Sequence, residues 1–204
     1  MRRWTRFPLL SVIACASLAA TPDGIAYKID SKTSRLTVET ETTGLSSMFG
    51  HDHRFDVRDF SGVLTMRAGM PESAILQLTA RGEALTLIEN VDDDARREIA
   101  AALRDAVLQT ARYPEIAFRS RRVSATRNDD GSFDVTLTGE LTLHGVRRAI
   151  VVPAHVVPTR DGLRATGALG LRQSAFGIKP YTFANGTVSV RNAVTISFDI
   201  LARE

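Results

Sequence analysis

Apolar and polar residues alternate one for one along most of this chain, which is the period of a strand with one face on a core and the other in water. In "FDVTLTGELTLHG", Val135, Leu137, Leu141 and Leu143 fall on one face, while Asp134, Thr136, Thr138, Glu140 and Thr142 fall on the other. Similar segments rich in Val, Leu, Ile and Thr are "AYKID", "RLTVET", "FSGVLTMRA", "SAILQLTARGEALTL", "EIAFRSRRVSAT", "VRRAIVVPAHVV", "LRATGALGLRQ" and "TVSVRNAVTISFDILA". Gly, Pro, Asn or Asp bounds each of them, as expected of strands separated by turns. "NDDG" at 128–131 predicts one turn, and His144–Gly145 predicts a tight hairpin in which Gly relieves the backbone strain. Several antiparallel strands at this spacing predict a barrel or a sandwich.

One segment follows the other period. "DDDARREIAAALRDAVLQTARYP" puts Ile99, Leu103, Ala106 and Val107 at helical spacing, with acids in the first turn and Arg112 in the last. An amphipathic helix over residues 92–112 is predicted, stopped by Pro114.

At 204 residues the chain is long enough for one domain with a sizeable core. Its start changes the reading of its charge. "MRRWTR" carries three arginines and no acid, and the apolar "FPLLSVIACASLAA" that follows ends in small residues, the pattern of a secretory signal over residues 1–19. The apolar run is shorter than the roughly 20 residues that span a bilayer, so a cleaved leader is the better reading than a membrane anchor. Without the leader's three arginines, 23 basic residues face 23 acidic ones. A near-neutral mature protein lacks the electrostatic footprint of a nucleic-acid binder.

The one cysteine, Cys15, sits in "VIAC", where processing at a lipoprotein-type site would leave a lipidated N-terminus held at the outer membrane. Cleavage after "SLA" would instead discard Cys15 and release a soluble periplasmic protein. In both cases the folded part has no thiol, which excludes disulfides, thiol catalysis and cysteine metal sites.

The chemistry on offer is sparse. In "MFGHDHRF", His51 and His53 stand two residues apart, so on a strand both imidazoles would face one side and Asp52 the other. Two ligands fall short of the three that an open zinc site uses, and His144 and His155 are not tied to the pair by spacing. A hydrolase would pair one of these histidines with Ser46 or Ser47 and an acid such as Asp52, yet no G-x-S-x-G occurs. A polar mouth to an apolar tunnel is the third reading of the pair.

Four stretches resemble the YceI-like polyisoprenoid-binding proteins: "YKIDSKTSRLTVET", "RYPEIAFRSRRV", "GELTLHGVRRAIVVP" and "SAFGIKPY", in this order across residues 26–202. The resemblance implies an all-β, lipocalin-like antiparallel barrel of about eight strands. It would occupy residues 25–203, with a helix against one end and a tunnel for a long apolar chain. The function implied is an exported carrier of a lipophilic ligand, with no catalysis, cofactor or metal. The candidate ligand contacts are Phe49, His51, His53, Phe55, Phe60, Phe118, Leu141, Phe176, Tyr181 and Phe183. This chain departs from the family pattern at "TTGLSSMFGHDHRF" and in its longer helix, both of which border the lipid site. A histidine-dependent metal protein or hydrolase centred on His51 and His53 is the competing expectation.

Overall fold

The computed structural model describes residues 24–44, 53–183 and 188–204. Twelve strands form one sheet: β1 (Gly24–Ile29), β2 (Arg35–Gly44), β3 (His53–Val57), β4 (Phe60–Arg67), β5 (Met70–Arg81), β6 (Leu85–Leu87), β7 (Glu115–Arg127), β8 (Phe133–Leu143), β9 (Val146–Thr159), β10 (Gly162–Arg172), β11 (Thr182–Phe183) and β12 (Val188–Arg203). Pairing of β1 with β12 closes the sheet into an antiparallel barrel of eight staves.

Three of those staves are broken strands. β1 and β2 lie end to end along β12, with Ile29 opposite Ala202 and Arg35 opposite Asp199. β3 and β4 follow that line, as do β5 and β6, so the breaks at 30–34, 58–59 and 82–84 stand side by side. Backbone bonds stitch the breaks together: Arg58 N–H donates to Ala84 O at 3.1 Å, Arg81 N–H to Asp59 O at 3.1 Å, and Asp30 N–H to Leu201 O at 2.9 Å. The barrel is therefore a simple up-and-down meander that runs in chain order. Closure gives each described stave a partner on both sides, although β9 and β10 are laddered only at one end.

The alternation read from sequence decides which side chains point inward. In β8 Val135, Leu137 and Leu141 are buried while Asp134, Thr136 and Thr138 are exposed. Gly139 takes the inward position between them because an added Cβ would lie 2.4 Å from Arg119 O and 2.7 Å from the Phe118 ring. At the β8–β9 turn His144 has φ 52° and Gly145 φ 73°, the two positive values of a type I′ hairpin. The Tyr113 ring covers Gly145 so closely that an added Cβ would come within 2.5 Å of it.

One end of the barrel carries short hairpins around Gly69, Gly131 and Asp161. The other carries the long excursions, including α1 (Asp93–Ala101) and the segment from Gln173 to Phe183. Asp92 caps α1 by accepting from Ala95 N–H at 2.8 Å, and Asp93 and Asp94 meet the positive end of its dipole. The helix then widens over Ala102–Val107, with Leu108 N–H reaching Leu103 O at 2.8 Å, an i to i−5 bond. It stops there, short of the expected residue 112, because Gln109 adopts φ 49° and turns the chain back. Pro114 does precede the next strand, but the helix has already ended.

β9 and β10 form a ladder only from Thr159 to His155 and from Gly162 to Thr166. Toward the helix end, the short turn Gln173–Phe176 packs against β9, β10 and β12. Phe176, at 2% exposure the most buried large side chain described, anchors it. His144 Nδ1 lies 3.3 Å from Phe176 O, and Arg148 Nε donates to Ala175 O at 3.1 Å.

Candidate functional site

Inward side chains do not fill the barrel. They enclose a cavity of about 580 Å³ that runs from the helix end toward the hairpin end. β2 contributes Leu36, Val38 and Thr40, β3 contributes His53, Phe55 and Val57, and β12 contributes Val194, Ile196, Phe198 and Ile200. In each strand these are every second residue, as the pleat requires. Leu64, Met66, Pro71, Val156 and Leu163 carry the lining to the hairpin end. Ala95, Glu98, Ile99, Ala102, Leu103 and Val107 cover it from the helix side.

Polarity along the tunnel is one-sided. Thr40, His53, Glu98, Gln173 and Tyr181 are the polar lining residues described, and all five sit toward the helix end. The remainder is apolar, so the deep half has nothing to offer a charged or strongly hydrated group. His53, on the first residue of β3, is partly buried at 20% side-chain exposure. Its Nδ1 lies 3.9 Å from Glu89 Oε2, and neither atom has a hydrogen-bond partner although both are shielded from solvent. The other Glu89 oxygen accepts from Arg54 N–H, and Thr40 Oγ1 donates to His53 O at 3.3 Å. Arg96 spans the gap between helix and barrel, donating to Leu87 O and Glu89 O at 2.8 Å each.

Of the ten expected ligand contacts, His53, Phe55, Phe118, Leu141, Tyr181 and Phe183 line the cavity. Phe60 and Phe176 do not. Phe60 packs with Val57 and Ala80 in a separate buried cluster beside the strand breaks, and Phe176 anchors the turn after β10. An aromatic in a strand sequence shows that it is inward, not which layer of the interior it fills. Phe49 and His51 lie outside the described residues, as do Ser46, Ser47, Asp52 and Cys15.

The other histidines are elsewhere. His144, in the β8–β9 turn, meets the Tyr113 ring at a tilt of 54° with centroids 4.4 Å apart. His155 stands on the outer wall, 2.9 Å from Asp134, whose carboxyl its ring holds below the usual aspartate range. Among the described residues no three His, Cys, Asp or Glu side chains converge as a metal site would need.

The sequence reading did not single out the helical part of the lining. Its signal was present: Ile99 and Leu103 are four residues apart on the apolar face that turns toward the tunnel. Glu98, beside them, was hidden among the helix's other charges.

A closed antiparallel barrel around an apolar tunnel, with its polar groups gathered at one mouth, defines the lipocalin-like class. Within it, the chain belongs to the YceI-like domain family, whose pattern it matches over residues 27–202. It is 30% identical over 182 residues to a UPF0312 protein of Shewanella baltica strain OS185, covering 84% of this chain and 87% of that one. A UPF0312 protein of Pseudomonas syringae pv. tomato is 29% identical over 161 residues, 75% of this chain and 76% of the relative. Among solved structures, BcnA of Burkholderia cenocepacia superposes with TM-score 0.62 at 18% identity, covering 84% of this chain and 98% of the other. A polyisoprenoid-binding domain from Saccharophagus degradans gives 0.61 at 14% identity, covering 87% and 97%. These two likenesses establish the fold.

Proposed function

We propose that this protein is an exported carrier that shelters the hydrocarbon chain of a lipophilic ligand, an isoprenoid, a quinone-type tail or a fatty chain. The observation that carries the reading is the 580 Å³ apolar tunnel, a volume within the range of ordinary small-molecule pockets. Affinity would come from burial. At roughly 0.8 kcal/mol per methylene, ten carbons supply about 8 kcal/mol before ordering costs, the scale of micromolar binding. Membership of the YceI-like family and the fold shared with a polyisoprenoid-binding domain support the same assignment. The basic-then-apolar leader supports delivery to the periplasm, with lipidation of Cys15 or cleavage near Ala20 as its two outcomes.

Binding is tested with N-phenyl-1-naphthylamine, an apolar dye that brightens on leaving water. Wild type should bind it saturably. Leu137→Trp, placing a bulky indole at mid-tunnel, should weaken binding at least tenfold while the far-ultraviolet circular dichroism keeps its strand signature. Unchanged dye affinity in the folded variant would remove the tunnel from the function. Intact mass after detergent extraction separates a diacylglyceryl group on Cys15 from a free N-terminus near Ala20.

A further inference from the structure

The geometry points to a ligand whose head is uncharged and hydroxyl-bearing, a single-chain long-chain alcohol in chemical class, with anionic heads turned away. This deepens the carrier reading and rests on it. Among the described residues no lysine or arginine lines the cavity.

Glu98 is the one Asp, Glu, Lys or Arg side chain among the described lining residues. Glu98 faces the cavity from the helix, and Glu89 stands behind His53 with one oxygen unpaired. The guanidinium of Arg96, on the same helix, is committed to the carbonyls of Leu87 and Glu89. A carboxylate or phosphate entering here would lose hydration without meeting a lysine or arginine among the described lining residues, and it would approach the Glu98 carboxylate, with Glu89 one side chain further back behind His53. A hydroxyl meets groups that suit it, because the Tyr181 hydroxyl can both give and take a hydrogen bond, while Thr40 Oγ1, whose hydrogen goes to His53 O, and the Glu98 carboxylate can accept one. Its chain then runs into a half-tunnel lined by Leu64, Met66 and Leu163, where no polar group is needed.

The test is competition against bound N-phenyl-1-naphthylamine at pH 8 on delipidated full-length mature protein, with dodecan-1-ol, dodecanoate and dodecyl phosphate as competitors. The alcohol should displace the dye at a concentration at least tenfold lower than either anion. In the double variant Glu89→Gln, Glu98→Gln, the advantage of the alcohol over each anion should shrink several-fold. Equal displacement by all three, or tighter binding of an anion, overturns the head selectivity and leaves the carrier reading standing. Failure of the dye itself to bind overturns the carrier reading and this inference with it. Ratios that are the same in wild type and double variant would show that the two carboxylates do not select, and would overturn the assignment.

Discussion

Asp30 shows how one side chain secures the closure of the barrel. It follows β1, accepts Arg203 Nε at 2.9 Å from the end of β12, and takes Lys32 N–H at 3.1 Å on its other oxygen. Arg203 also reaches Asp161 at 3.4 Å, so one guanidinium ties three ends of the chain together. The bond from Arg203 is the main reason the Asp30 carboxyl sits below its ordinary value. A depressed folded value means that the unfolded chain takes up the proton first. The stabilisation is therefore complete above the ordinary aspartate range and is lost as pH falls through the lower folded value. Asp30→Asn should have a lower urea midpoint than wild type at pH 7 and at pH 5, with the gap shrinking below about pH 4. The effect should be modest because the pair is partly exposed. A gap that stays constant down to pH 2 would show that Asp30 acts through its shape and not its charge.

At the scale of elements, the helix is the part of the wall least committed to the barrel. None of the residues in Asp93–Val107 is fully buried, and Ile99, Leu103 and Val107 are half-buried against the tunnel. Two bonds from Arg96 hold it to the end of β6. Arg96→Ala should leave equilibrium dye affinity within a few-fold but speed dye release by about tenfold, measured by stopped flow. That split follows if the helix opens for exchange and contributes little to the bound state. A release rate equal to wild type would place the exchange path elsewhere.

Much of this level was legible in the sequence. β8 showed its two faces because its inward residues are apolar, apart from Gly139, and its outward ones polar, and the His144–Gly145 turn was written in residues that tolerate positive φ. The helix end was not, since nothing in "AVLQTARYP" marks Gln109 as left-handed. The paired breaks in the first three staves were also hidden, because 58–59 and 82–84 interrupt the sequence too briefly to be told from ordinary strand. Periodicity names the inward side chains, but whether those side chains meet across the middle depends on the radius of the closed sheet. That is why Phe60, buried beside the strand breaks, reads in sequence like Phe55 and Phe118, which line the cavity, whereas Phe176 lies in a turn where there is no strand period to read.

For the whole molecule, an apolar tunnel of this size has a thermodynamic consequence. A typical protein core is packed to the density of an organic crystal, whereas this one surrounds a space whose walls lack contact partners when empty. The Leu, Ile, Val and Phe side chains that line it then give less stabilisation than their number would lead one to expect, and an occupant restores the missing contacts. Ligand present at a hundred times its dissociation constant should raise the unfolding free energy by about 2.7 kcal/mol. For a domain of this size that corresponds to a rise in midpoint of several degrees. Protein purified from its cells without delipidation should therefore melt above the same protein after organic extraction. Adding dodecan-1-ol should restore the difference, and native mass spectrometry of the unextracted sample should show one lipid-sized adduct per chain. Identical melting curves before and after extraction, with no adduct in the mass, would mean that the tunnel travels empty and that a carrier role is the wrong account of the space inside this barrel.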